Sequence, residues 1–100
     1  MPTIQPSEAR QLLAAGAVAV DVREEWEYQA GHLPGAIHLP LGSLERSAAR
    51  MLPDREQNLV VYCASGIRSA RAVRWLKANG WHHVWDMGSL TTWPYGLEHA

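Results

Sequence analysis

The sequence predicts an α/β fold: a small, open, mainly parallel sheet of four to five strands, with helices on both faces. Two observations carry that prediction. Short apolar runs, such as Val18-Ala19-Val20 and Leu59-Val60-Val61-Tyr62, are continuous, as in strands buried on both faces. Helix-forming stretches with one apolar side lie between these runs, and short β-α units in alternation imply a parallel sheet joined by helical crossovers.

Each element has its own justification. Ser7 is placed as the N-cap of a helix over Glu8 to Ala15, with Ala9, Leu12 and Leu13 as its apolar stripe and Gly16 as its stop. Val18 to Val22 is the first clear strand. Arg23 to Ala30 is a short helix closed by Gly31, and Pro34-Gly35 marks a turn. Ala36 to Leu39 is the second strand, ended by Pro40. Ser43 is expected to cap a helix over Leu44 to Met51, which stops before Pro53. Leu59 to Tyr62 is the third strand. Ser69 to Asn79 is the strongest helix, with Ala72, Val73 and Leu76 on one side and Arg71, Arg74 and Lys77 largely on another. Gly80 stops it. His83 to Asp86 is a last strand, followed by Gly88 and a short helix near Thr91. Thr3-Ile4 is read as an edge strand, and the tail from Leu97 to Ala100 carries no structural signal.

The 100 residues make one small domain, taken as residues 1–100. Hydrophobic residues are 47 % and charged residues 19 %, enough apolar material for a core. A net charge of −1 gives no general reason to expect nucleic acid or an anionic membrane as partner. No apolar stretch approaches the ~18 residues of a membrane helix. Met1 to Pro6 has neither a basic nor an apolar leader region, so a cytoplasmic location is expected. A single cysteine allows no internal disulfide, no multi-cysteine zinc site and no internal resolving thiol. Neither a metal nor a cofactor is expected. His82 and His83 are adjacent, point to opposite sides of a strand, and make a poor chelate.

That cysteine, Cys63, ends the third strand and is followed by Ala64-Ser65-Gly66-Ile67-Arg68-Ser69 and then the helix. A helix start aims unpaired backbone N–H groups at one point and favours anions there. The same field lowers a thiol's pKa from about 8.5. Arg68 adds a fixed charge and a forked donor set for a small oxyanion. Most lone cysteines pack as small hydrophobes. The nearby Gly, Arg and Ser, and the strand-end position where open sheets bind ligands, favour the chemical reading.

Three segments in order carry a family resemblance: Asp21-Val22-Arg23-Glu24, then Tyr28-Gln29-Ala30-Gly31-His32-Leu33-Pro34-Gly35-Ala36-Ile37-His38-Leu39, then Cys63 to Ser69. Together they resemble the rhodanese family of sulfurtransferases, in the size of its single-domain members. The chain departs at Gly88-Ser89-Leu90, where the family often has two adjacent glycines and then an aromatic residue. The resemblance implies a thiosulfate sulfurtransferase. Cys63 thiolate would take the outer sulfur of thiosulfate, release sulfite, and hold a persulfide until cyanide or a thiol collects it. Ping-pong kinetics would follow. The N–H groups from Ala64 to Ser69, including Ser65, Gly66 and Ile67, would stabilise the persulfide anion. Arg68 would hold the sulfonate. Ser69 would donate its hydroxyl and cap the helix.

Other candidates have plainer readings. Asp21 and Arg23 are supporting residues. The favoured reading pairs them to organise a loop; the alternative has Arg23 bordering the pocket. His32 is read as fastening a turn rather than as a base. Most of Trp26, Trp75, Trp81, Trp85 and Trp93 are assigned to the core, with a later one left open as a pocket roof or partner surface. Arg71, Arg74 and Lys77 form either a solvated face or a dock for an acidic sulfur-acceptor protein. Two rival functions differ in class. A sulfur carrier or persulfide-sensing binding module would keep the loop but negligible thiosulfate turnover. A cysteine phosphatase or arsenate reductase would want five residues between cysteine and arginine, where this chain has four, and an acid for its leaving group.

Overall fold

The computed structural model describes residues 3–99. Residues 1, 2 and 100 of the expected domain lie outside them. The elements follow as α1 (Pro6–Ala14), β1 (Val18–Asp21), α2 (Glu25–Ala30), β2 (Ile37–His38), a 3₁₀ turn at Leu41–Ser43, α3 (Leu44–Met51), β3 (Leu59–Cys63), α4 (Ile67–Ala78), β4 (Val84–Ser89) and a second 3₁₀ turn at Leu90–Thr92. The four strands form one sheet in the order β2-β1-β3-β4, all pairs parallel. The chain leaves β1 to one side for β2, then returns to its other side for β3. The carboxyl ends of β1 and β3 therefore flank the crevice where the winding reverses, the usual ligand position in open α/β sheets.

Side-chain alternation divides the core in two. Val20, Val61 and Cys63 pack with Leu44 and Ala48 of α3 and with Ala72, Val73 and Leu76 of α4. Ala19, Val60 and Tyr62 face the other way, toward Ala9 of α1, Leu33 and Met87. All five residues of β3 are buried, at about 1.5–3 kcal/mol for each fully buried aliphatic side chain.

Several boundaries differ from the sequence reading. Gln5, not Ser7, caps α1: Pro6 takes the first helical position, which needs no N–H, and the Gln5 amide donates to Glu8 Oε1 at 2.9 Å. Arg23 lies outside α2, whose cap is Glu24, with its amide donating to Glu27 Oε1 at 2.9 Å. Ser43 does precede α3, but the 3₁₀ turn leaves its backbone at φ −106°, ψ −4°, and its hydroxyl caps nothing. Thr3-Ile4 forms no strand; Ile4 makes a single ladder bond to the Asp86 carbonyl at 2.9 Å. β4 runs three residues further than expected because a bulge interrupts it. Val61 pairs with Asp86 but Tyr62 with Gly88, and the Gly88 amide (φ +77°) donates to Asp86 Oδ1 at 2.8 Å.

The tail also has a place. Glu98 bridges His32 in antiparallel fashion, its carboxylate accepts from the Gly35 amide at 3.0 Å, and His99 Nδ1 donates to the Ala30 carbonyl at 2.7 Å. Trp81 is buried, donates to the Leu52 carbonyl at 3.1 Å, and carries the Arg55 guanidinium 3.8 Å above its ring. Trp26 is the exception among the tryptophans, 73 % exposed on a helix with no buried residue. Among the described residues no helix is long and apolar enough to cross a membrane.

Candidate active site

Gly66 sits at φ +96°, a left-handed conformation that suits glycine. It turns the chain from β3 into α4, whose first residue is Ile67 rather than Ser69. Ser69 is therefore the third residue of the helix, not its cap. Its N-cap residue, Gly66, has no side chain to cap this end. The acceptor is instead Cys63 Sγ, which receives the Gly66 amide at 2.9 Å and the Ser69 amide at 3.3 Å. One sulfur atom thus serves as helix cap and as candidate nucleophile.

The thiol is fully buried. Burial alone would push its pKa up. Hydrogen bonds from the Ser69 hydroxyl and amide, then from the Gly66 and Ser65 amides, outweigh burial and hold it below the ordinary value. The Ser69 hydroxyl lies 3.1 Å from the Gly66 carbonyl as well, so its one proton can serve either acceptor. The amides of Ile67 and Arg68 donate to no acceptor among the described residues. They are spare donors at the mouth of the loop. Across from it, β4 contributes Ser89, in register with Cys63, whose hydroxyl donates to the Ala64 carbonyl at 2.5 Å. A second glycine in its place would leave that tether out.

Arg68 points toward α2. Its Nη1 and Nη2 donate to the two carboxylate oxygens of Glu27 at 2.7 and 2.9 Å, a forked pair across the crevice. The Arg68 hydrogen bond, against some burial, holds the Glu27 carboxyl down to about 2. Glu27 in turn keeps Arg68 more firmly charged.

Asp21 and Arg23 lie on the other face of the sheet from Cys63. Asp21 is in register with Tyr62, and its Oδ2 accepts the Tyr62 hydroxyl at 2.7 Å. Arg23 donates to the same carboxylate from Nε (3.0 Å) and Nη2 (2.7 Å), and its amide donates at 2.9 Å. The remaining valences reach the family-like segment: Arg23 Nη2 donates to the Gly31 carbonyl at 2.6 Å, and the Leu33 amide to the Tyr62 oxygen at 3.1 Å. Burial works against the Arg23 charge, but Asp21 keeps its pKa raised. Burial and then the Asp21 charge drive the Tyr62 hydroxyl well above its usual range. Nearby, the Tyr28 ring is sandwiched between His32 (3.8 Å) and His38 (4.6 Å). His32 Nδ1 donates to the Tyr28 carbonyl at 2.8 Å, a turn-fastening contact. His82 and His83 present rings 6.4 Å apart at 79°. No group of three or more potential metal ligands gathers among the described residues.

Sequence reasoning missed Glu27, Ser89 and Tyr62. Glu27 had one usable signal: β1 and β3 are neighbours in a doubly wound sheet, so acids opening the helix after β1 face basic residues opening the helix after β3. Ser89 had none, because the bulge that aligns it with Cys63 has no marker beyond Gly88.

Comparisons with known proteins bear on the fold and the domain. The chain superposes on the human single-domain sulfurtransferase TSTD1 with a TM-score of 0.80 at 32 % identity, covering 93 % of this chain and 95 % of that one. A rhodanese-related protein from Thermoplasma volcanium gives 0.86 at 28 % identity, with full coverage of both. The tRNA uridine(34) hydroxylase of Citrobacter koseri is 36 % identical over 75 residues, 71 % of this chain but 21 % of that protein. The chain thus spans about a fifth of the length of that curated relative. With residues 5–94 matching the rhodanese-like domain, this chain belongs to the rhodanese-like family, whose membership supports sulfur-transfer chemistry.

Proposed function

We propose that the protein moves a sulfane sulfur from thiosulfate, or a similar small donor, to a thiophilic acceptor through a persulfide on Cys63. The observation that carries this reading is the sulfur cradle: the Gly66 and Ser69 amides on Sγ at 2.9 and 3.3 Å, with the Ile67 and Arg68 amides given no acceptor among the described residues. Cys63 thiolate attacks the outer sulfur of thiosulfate, whose S–S bond breaks and whose electron pair leaves with sulfite. The persulfide anion gains the spare Ile67 and Arg68 amides. Cyanide or a thiolate then takes the outer sulfur, and the electron pair returns to Sγ, which the Gly66 and Ser69 amides receive. No other cofactor is needed. Arg68 meets the sulfonate from the crevice side, sharing its guanidinium with Glu27.

Intact-mass analysis tests the reading. Thiosulfate should add the mass of one sulfur atom to Cys63, and cyanide should remove it with thiocyanate formed in equal amount. No added sulfur from thiosulfate would overturn it. A gain from a persulfidated thiol alone would favour the carrier reading, which the occupied Arg68 fork and the buried thiol also suit. The tRNA hydroxylase relatives bear on this only through the shared domain, since their overall reaction belongs to much longer chains.

A further inference from the structure

Helices α3 and α4 cover the Cys63 face of the sheet and share one core. Together they carry Arg46, Arg50, Arg68, Arg71, Arg74 and Lys77 against a single acid, Glu45. That is six of the protein's nine cations and one of its ten acids, in a chain of net charge −1. By contrast, α1 and α2 carry Glu8, Glu25 and Glu27 against Arg10. Of the six cations, only Arg68 joins an ion pair among the described residues. Lys77 lies on the other flank of α4, in a pocket it shares with Glu8 and Asp86; the arginines leave the field of the α3–α4 face positive and largely uncompensated.

The same face has a track of two apolar side chains with an arginine between them. Ile67, Arg71 and Trp75 follow at i, i+4 and i+8 and line up along α4. Ile67 is 67 % exposed, next to the loop around Sγ. At the other end, Arg71 and Trp75 join Leu41, Leu44 and Glu45 around a groove of about 250 Å³. A small thiol or cyanide needs no such track. A chain segment does: its apolar side chains would fill the groove while acidic ones meet the cations. An RNA backbone would be drawn by the same charge, but the groove's lining holds one aromatic ring, that of Trp75, half-buried against Trp81, so successive bases find no run of stacking platforms.

We propose that the α3–α4 face docks an acidic, cysteine-bearing segment of a sulfur-acceptor protein, with its thiol at the Ile67 end. The proposal rests on the persulfide reading, because a lone cysteine must pass its sulfur to another molecule. In the transfer, the segment's thiolate attacks the outer sulfur of the Cys63 persulfide. The bond from that sulfur to Sγ breaks, its electron pair leaves with Cys63 as thiolate, and the outer sulfur passes to the segment as a persulfide anion. Glu45 discriminates against an acid at its own position in the groove.

The test uses the full chain loaded with sulfur, checked first by intact mass. Three peptides of equal length serve as acceptors, each with one cysteine and a leucine, flanked by glutamates, glutamines or lysines. Expected are the order glutamate, glutamine, lysine, about tenfold in kcat/KM between the first two at low salt, and convergence as salt rises. The Arg71→Glu, Arg74→Glu double variant should lower the rate ratio of glutamate peptide to dithiothreitol by at least that factor. Glu45→Gln should raise it. The salt titration of the unaltered protein gives the same readout should the double variant fail to fold. Equal rates for the three peptides would overturn the docking surface. Inhibition by unmodified tRNA at lower concentration than by the thiol-blocked glutamate peptide would overturn it in favour of RNA. Failure to load any sulfur on Cys63 would instead refute the persulfide reading beneath it.

Discussion

Two buried polar clusters sit at the carboxyl ends of adjacent strands, on opposite faces of one sheet, and they are built on opposite principles. Around Asp21, side chains close the account: the carboxylate takes the Arg23 guanidinium, the Arg23 amide and the Tyr62 hydroxyl, and the outer members fasten Gly31 and Leu33. No buried side-chain polar atom among the described residues is left without a partner. Around Cys63, main-chain amides supply the hydrogen bonds, and two at the loop mouth have no acceptor. A satisfied network holds a loop in one arrangement. A cradle with donors to spare keeps room for an anion to arrive. Both are buried and both are charged or chargeable; the difference lies in what remains unsatisfied.

Removing the central atom of each cluster separates the two roles most sharply. Cys63→Ser should abolish sulfur transfer while the thermal midpoint stays close to that of the unaltered protein, because serine offers the amides an oxygen acceptor but no thiolate. Turnover above background in a thiosulfate–cyanide assay would break the contrast. Asp21→Ala should do the reverse. It strands the Arg23 charge in the interior, at about 3–5 kcal/mol in a denaturant melt. Sulfur loading of the folded fraction, read by mass at low temperature, should persist. A next, smaller effect belongs to the hydroxyl at the cradle. Ser69→Ala removes one hydrogen bond from the thiolate, worth about 0.5–1.5 kcal/mol. It should raise the midpoint of the pH profile for Cys63 alkylation by iodoacetamide, and an unmoved midpoint would show that the amides alone set it.

How much of this was legible beforehand follows from the range of each contact. The Cys63 cradle was readable because its donors are consecutive in the chain; only the helix start was misplaced. Capping rules look for an oxygen on the residue before the helix, and here the acceptor is a sulfur three residues before Gly66. A parallel sheet with helices on both faces was readable from the β-α alternation, though its strand order was not, and family membership rests on segments visible in the sequence. The forked pair of Glu27 and Arg68 spans 41 residues, and no local pattern encodes which acid meets which arginine. The tail was unreadable for the same reason: Glu98 and His99 gain their order from residues 30–35, far away in the chain.

That long-range pair also gives the finest test of the contrast, since it lies between the closed cluster and the open one. Its carboxyl is held down to about 2 from an ordinary 4.5. A folded-state value below the unfolded one means that the pair stabilises the fold fully above pH 4.5 and loses that contribution as pH falls toward 2. Glu27→Gln should therefore cost about 1 kcal/mol at pH 7, because Arg68 is partly solvated. The penalty should shrink between pH 4.5 and 2 and vanish in melts below pH 2, where the unaltered protein loses its carboxylate too. The substitution also frees the guanidinium fork. If Arg68 meets the donor's sulfonate, KM for thiosulfate should fall; if Glu27 is what holds the loop over the cradle, KM should rise. An unchanged KM with the expected pH-dependent loss of stability would make the pair a strut of the same kind as the Asp21 cluster, leaving donor recognition to the amides alone.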